Sequence, residues 1–104
     1  MSRNIILKLN RVELIELYQS VWYNVQLAHQ LYTSGEQKLV LFCASDLCVF
    51  LHNKVLSLNQ TKFRLKLKCS EAYAFKLFMS GKQPTSEYNY IIIQHVLNQI
   101  DSQL

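Results

Sequence analysis

The 104-residue sequence has few of the residues that make turns, since it contains only two glycines and one proline. An all-β domain uses such residues at nearly every hairpin, so their scarcity favours helices joined by a small number of connections. Two glycines, Gly35 and Gly81, also exclude the glycine-rich loops that cradle phosphates in nucleotide-binding proteins.

Charge is scarce too, and no apolar run is long. Charged residues make up 17% of the chain and hydrophobic residues 50%, a composition of folded rather than disordered proteins. The longest apolar stretch, Leu39 to Leu51, is interrupted by Ser45 and Asp46 and falls short of the ~20 residues of a membrane-spanning helix. No secretory signal is visible at the N-terminus. These features predict a cytoplasmic protein with no membrane partner.

The three cysteines are Cys43, Cys48 and Cys69. An odd number argues against a complete disulfide framework, and a cytosolic chain keeps its thiols reduced. We therefore expect three free thiols.

The sequence does contain two similar short segments, and we call this similarity the echo. The segment "LKLNRVE" ends at Glu13, and "LKLKCSE" ends at Glu71. Ile5, Leu7 and Leu9 alternate with Ile6, Lys8 and Asn10, and the alternation is clearest in "KFRLKLK", where lysines and an arginine occupy every second position. Alternation with period two predicts a half-buried strand, and both strands run directly into a helix.

Capping patterns mark the starts of the first two helices. Asn10 and Glu13 form a capping box that starts a helix at Arg11, which should end near Thr33. Ser34 and Gln37 form a second box. The buried stripe expected on the first helix, and the residues expected to widen it, are Leu14, Leu17, Val21, Val25 and Ala28, then Ile15, Tyr18, Trp22 and Leu31.

The second helix should run from about Glu36 to Leu58. Because "KLVLFCASDLCVFL" is apolar on nearly every side, we expect this helix to be the central and most buried element. A buried strand from Leu39 to Cys43 is the competing interpretation, because short apolar runs are ambiguous.

Two further helices are predicted in the second half of the chain. One begins at Ser70 or Glu71 and ends at Ser80–Gly81, with Gly81 suited to a left-handed C-cap. The last begins near Thr85 or Ser86. Its expected apolar stripe comprises Tyr90, Ile93, Leu97, Ile100 and Leu104, with Ile92 and Val96 alongside.

The predicted fold is therefore helix-rich α+β, in β-α-α-β-α-α order, with four helices packed on one face of a small two-stranded sheet. An all-α bundle is the alternative. We expect one domain over residues 1–104, and the echo suggests two βαα halves at about 4–58 and 62–102. The simpler explanation of the echo is that a helix dipole favours an acidic residue in any first turn.

A two-stranded sheet is expected to keep two open edges, through one of which a dimer could form.

The most prominent candidate surface is basic. Lys62, Arg64, Lys66 and Lys68 are expected on the solvent side of the second strand, with Lys76 on the following helix. In a sheet of the two strands, Lys8 of the first strand would share this face. These residues form a candidate surface for anions or nucleic acid. The alternative is a solvated strand face on which the cations only maintain solubility. Phe63 should face inward, which removes the exposed aromatic ring that RNA-binding sheets use.

Other reactive residues are explained more simply by packing. Cys43, Cys48 and His52 do not have the spacing of a zinc site. Cys69, at a helix N-terminus beside Lys68, is the one thiol whose position favours a nucleophile. Asp46 is expected to face solvent, because an unpaired buried carboxylate is costly.

The sequence thus predicts a small non-enzymatic protein that binds another macromolecule or itself, a homodimer being the simplest form. A weak, sequence-tolerant nucleic-acid-binding protein that uses residues 62–68 is the second hypothesis, and a cysteine-dependent enzyme is the third. We expect no cofactor, no metal and no small-molecule site.

Overall fold

A computed structural model describes residues 4–32, 34–57, 59–80 and 86–104 of the chain. The elements, in order, are β1 (Asn4–Asn10), α1 (Arg11–Leu31), α2 (Gly35–Val55), β2 (Lys62–Lys68), α3 (Cys69–Met79) and α4 (Glu87–Gln103). This order confirms the helix-rich α+β prediction, and the all-α alternative is wrong. The competing strand at Leu39–Cys43 is wrong as well, because those residues lie within α2.

The two strands pair antiparallel, with Leu7 opposite Leu65 at the centre of the sheet. Alternation places one face of both strands in the core, as predicted for β2. The six inward side chains are at most 3% exposed, namely Ile5, Leu7, Leu9, Phe63, Leu65 and Leu67. The helices leave the opposite face of the sheet to solvent.

Both strands pass directly into a helix, and a glutamate secures each junction. The Glu13 carboxylate accepts a hydrogen bond from the Asn10 N–H at 2.9 Å, and the Asn10 side chain accepts from the Glu13 N–H at 2.8 Å. Glu71 accepts from the Lys68 N–H at 2.8 Å. A lysine side chain has no acceptor to complete that second box. The echo in the sequence therefore corresponds to a shared strand-to-helix junction.

Several predicted boundaries shift slightly or cannot be located. The Ser34–Gln37 box is present, but α2 begins at Gly35, one residue earlier than expected, and ends at Val55. The third helix begins at Cys69, one residue early, and Ser86 is the N-cap of α4. The predictions that concern Thr33, Leu58, Gly81 and Thr85 lie outside the described residues.

The prediction that α2 is the central helix is wrong. α1 contacts α2, α4 and both strands, whereas α2 packs mainly against α1 and α3. The reason is geometric, since a helix that touches only two neighbours buries only one of its apolar sides. The five residues of the predicted α1 stripe are all buried, but Trp22 and Leu31 do not widen it, because they are 49% and 70% exposed.

The predicted stripe on α4 is partly wrong. Ile92, Val96 and Ile100 are buried, whereas Tyr90 and Leu104 are about half exposed. Two polar side chains occupy the packing side instead. Asn89 is buried and donates to the Ser20 hydroxyl, and Gln103 bonds to β1. Within the described ranges, no helix is both long enough and apolar enough to cross a membrane.

Candidate binding surfaces

The solvent-facing side of the sheet is strongly basic. Lys8 lies directly opposite Arg64. The three other outward residues of β1 also face cations, namely Asn4 opposite Lys68, Ile6 opposite Lys66 and Asn10 opposite Lys62. We call this surface the cationic sheet face. Its five exposed cations are Lys8, Lys62, Arg64, Lys66 and Lys68.

No carboxylate neutralises these cations within the described part of the chain. All seven acidic residues of the chain lie on helices, and both ion-pair contacts that the described residues form lie elsewhere. Lys8 and Arg64, as like charges on opposed strand positions, repel each other. A fold that tolerates this arrangement leaves the face available to an external anion.

Lys76 does not join this face. It lies on α3, and its ammonium forms an ion pair with Asp101 of α4. The structure therefore gathers four of the five candidate residues on this face, together with Lys8 of the neighbouring strand, as expected. A shallow depression of about 430 Å³ is lined in part by Lys8, Lys62 and Arg64.

The edge of β1 is closed by glutamine side chains from α4. The Gln103 amide accepts from the Ile6 N–H at 2.9 Å and donates to the Ile6 C=O at 2.7 Å. Gln99 does the same at Lys8, at 2.8 and 3.1 Å. Residues four apart on a helix are separated by about 6 Å, close to the ~6.6 Å between alternate residues of a strand. The expectation of two open edges is therefore wrong for β1.

These bonds also fix the orientation of Gln99. Its Oε1 faces the Lys8 N–H, so its Nε2 donates to His95 Nε2 at 2.9 Å. His95 Nε2 is then the acceptor of this bond. The same Nε2 atom lies 3.7 Å from the Glu13 carboxylate.

The edge of β2 is different. At one end, the Gln60 amide donates to the Lys62 C=O at 2.8 Å, and at the other Glu71 accepts from the Lys68 N–H at 2.8 Å. Between these ends lies a stretch, residues 64–66, that we call the open β2 segment. Within the described residues, nothing bonds to the outward backbone groups of Arg64 and Lys66.

A third surface is the outer side of α2. Its members recur at alternating intervals of three and four residues, the spacing of a seam between two packed helices. We call them the α2 outer row: Leu39, Phe42, Asp46, Val49, Asn53 and Leu56. Its four apolar members are between 59% and 65% exposed. Asp46 and Asn53 are exposed as well, which confirms the solvent-facing position predicted for Asp46.

A groove continues the α2 outer row toward α1. It has a volume of about 240 Å³ and is lined by Tyr18, Trp22, Cys48, Val49 and His52. Tyr18 and His52 are joined across it by a 3.1 Å hydrogen bond between the phenol oxygen and Nδ1. Trp22 is half exposed at its rim. Such a groove offers a pocket for an apolar side chain of a partner.

The three thiols occupy separate environments. Cys48 is buried, and desolvation raises the pKa of its thiol, which makes it less reactive. Cys43 is half-buried on α2, and Cys69 packs against the core at the start of α3. Among the described residues, no three histidine, cysteine or acidic side chains converge as they would around a metal ion.

Comparison of the chain with family models, curated proteins and solved structures found no match. The function of the protein must therefore be inferred from these surfaces. No local sequence pattern indicated the roles of Gln99 and Gln103 or the exposure of the α2 outer row. The spacing of the row was visible in the sequence, but helical spacing alone does not tell an exposed row from a buried one.

Proposed function

We propose that this protein is a non-enzymatic binding protein that associates with a second copy of itself through the α2 outer row. The observation that supports this proposal is the exposure of four large apolar side chains in one line along α2. Large apolar side chains gathered at exposed positions on one side of a helix are typical of interaction sites. Apolar seam residues at alternating intervals of three and four are the pattern by which helices pair.

The polar members of the row favour an antiparallel pairing. In a parallel pair the two copies of Asp46 would face each other as like charges. In an antiparallel pair centred on the row, Asp46 faces Val49 of the second copy, and Leu39 faces Leu56. The carboxylates are then separated, and the groove beside Trp22 lies next to the seam on both copies.

The experiment is sedimentation equilibrium over a range of concentrations. We expect a mass twice that of the single chain for the natural protein. The double substitution Phe42→Lys and Val49→Lys should give the single-chain mass with an unchanged circular dichroism spectrum, because both side chains are exposed. Ile91→Lys is the matched control, since Ile91 is 63% exposed on α4 and lies outside the row. A single-chain mass for the natural protein at every concentration would refute the proposal.

Nucleic-acid binding is a second candidate function, favoured by the five unneutralised cations of the cationic sheet face. Phe63 is 3% exposed, so that face offers no phenylalanine ring for stacking, and binding would depend on phosphates and not on sequence. Five contacts to a single strand predict that affinity falls about 100-fold between about 50 and about 200 mM salt.

Fluorescence anisotropy with labelled single-stranded DNA and RNA at both salt concentrations tests this function. Lys8→Gln with Arg64→Gln should weaken binding and reduce its salt dependence, while the Phe42/Val49 double variant should bind normally. No binding at the lower salt concentration would eliminate this candidate.

A further inference from the structure

The open β2 segment is identified by the way β1 is bonded on its other side. The N–H and C=O of Ile6 and Lys8 are directed toward α4, because the two glutamines bond to them. They are therefore directed away from β2. In an antiparallel ladder, residues opposite such positions form non-hydrogen-bonded pairs. Lys66 is opposite Ile6 and Arg64 is opposite Lys8, so their own N–H and C=O groups point to the far edge of β2.

The segment consists of two donors and two acceptors in line. The backbone N–H and C=O of Leu65, between them, are directed toward β1, and its side chain is 1% exposed. The side chains of Arg64 and Lys66 are exposed on the cationic sheet face. An extended chain laid along this edge could form the hydrogen bonds of an added strand, which is a recurring mode of peptide recognition.

Charge decides which chain fits. Paired side chains on an added strand lie about 5 Å from their neighbours on the same face. A second copy of β2, paired antiparallel about Leu65, would place Arg64 against Lys66 and Lys62 against Lys68 of the other copy. Every such pair is between like charges, so self-pairing at this edge is opposed.

Acidic side chains have the opposite effect. A strand with carboxylates at alternate positions would set each of them beside a cation of β2, and the described residues bring no carboxylate of this chain to that face. We propose that the open β2 segment binds an extended segment of another protein with carboxylates at alternate positions, which becomes a third strand of the sheet. This surface is separate from the α2 outer row and does not depend on the proposed self-association.

The probe is the peptide acetyl-Thr-Glu-Val-Glu-Val-Glu-Val-Glu-Thr-amide, measured by isothermal titration calorimetry against the full chain. The comparison peptide, acetyl-Glu-Glu-Thr-Val-Val-Val-Thr-Glu-Glu-amide, has the same composition without alternation. We expect the alternating peptide to bind more tightly. Equal affinities, or no binding of the alternating peptide, would overturn the proposal.

Substitutions at Lys66 separate backbone pairing from charge. Lys66→Thr removes the cation and keeps the N–H, so we expect binding about threefold weaker, as for an exposed ion pair. Lys66→Pro also removes the outward N–H without breaking a bond to β1, and should weaken binding about 10-fold or more. Equal losses in the two variants would mean that only charge attracts the peptide and would overturn strand addition.

A measurement on the natural protein covers the case in which the proline variant fails to fold. Amide hydrogen exchange at Arg64 and Lys66 should slow at least about 10-fold when the alternating peptide is bound, because both N–H groups gain acceptors. Unchanged exchange in the bound complex would overturn the proposal. Binding of a single-stranded oligonucleotide with slowed exchange at these two amides, and no such effect of the peptide, would also overturn it in favour of nucleic acid.

Discussion

The two edges of the sheet differ in whether a helix bonds to them. At β1, Gln99 and Gln103 of α4 act as a substitute strand and bond to both backbone groups of Ile6 and Lys8. Like α4, α2 is the second helix after a strand, so an equivalent arrangement would place it along the edge of β2. It packs on α1 and α3 instead. Residues 64–66 are consequently left open.

The difference shows two ways of managing an exposed strand edge. One edge is satisfied by internal hydrogen bonds. The other carries cations that oppose pairing with the same strand of a second copy. Only the second solution preserves hydrogen-bonding capacity for a partner. If the contrast is correct, changes at the two edges should have different consequences for stability and for exchange.

The largest effect is expected from disrupting the sheet itself. Leu65→Lys places an unpaired charge where the side chain is 1% exposed, and should lower the free energy of unfolding by about 4 kcal/mol or more. Lys66→Glu, at the next position but on the exposed face, should change it by no more than about 0.5 kcal/mol. Urea denaturation of both variants measures this. Comparable destabilisation would show that the facing of β2 is wrong.

A smaller effect is expected at Arg11, which secures the chain that leads into β2. Its guanidinium donates to the Ser57 C=O at 2.7 Å and to the Val55 C=O at 3.0 Å, at the C-terminal end of α2. Arg11→Ala should cost about 1.5–3 kcal/mol, because charged donors to carbonyls are strong. Arg11→Lys should recover part of that loss in the same urea measurement. An alanine variant with an unchanged free energy of unfolding would contradict this role.

Opening the β1 edge should cost less but changes exchange specifically. Gln103→Leu leaves the Ile6 N–H and C=O without their partner, for a loss of about 1–2 kcal/mol. The Ile6 amide should then exchange as fast as that of Lys66, which is already unbonded. Asn98→Leu, an exposed change on the same helix, is the control. If the Ile6 amide in Gln103→Leu stayed as protected from hydrogen exchange as in the natural protein, the proposed difference between the two edges would be wrong.

The smallest effect concerns the buried thiol of Cys48, whose pKa desolvation raises from 9.0. The unfolded chain therefore releases this proton at lower pH than the folded chain does. The contribution of the group to stability is complete below pH 9 and is lost as pH rises through the folded value. Stability of the natural protein should fall more steeply above pH 9 than that of Cys48→Ala. Parallel pH profiles would exclude this contribution, and Cys43→Ala is the matched control.

Much of the fold followed from local pattern. The period-two alternation of β2, the capping pairs at Asn10–Glu13 and Ser34–Gln37, and the α1 stripe each involve residues close in sequence. The failures all required knowledge of a distant neighbour. Trp22, Tyr90 and the exposed side of α2 were assigned to the core because apolar spacing reports that a side chain is suited to burial, whereas burial itself depends on what packs against it.

The sequence by itself determined the order of the elements, the inward side of β2 and the collection of cations opposite that side. These features arise from alternation and capping, which act over four residues or fewer. Only the tertiary structure decided that α4 lies along β1, that α2 turns away from β2, and that the α2 outer row stays uncovered. Those outcomes depend on contacts between residues as many as 97 positions apart, such as Ile6 and Gln103, which no local pattern encodes.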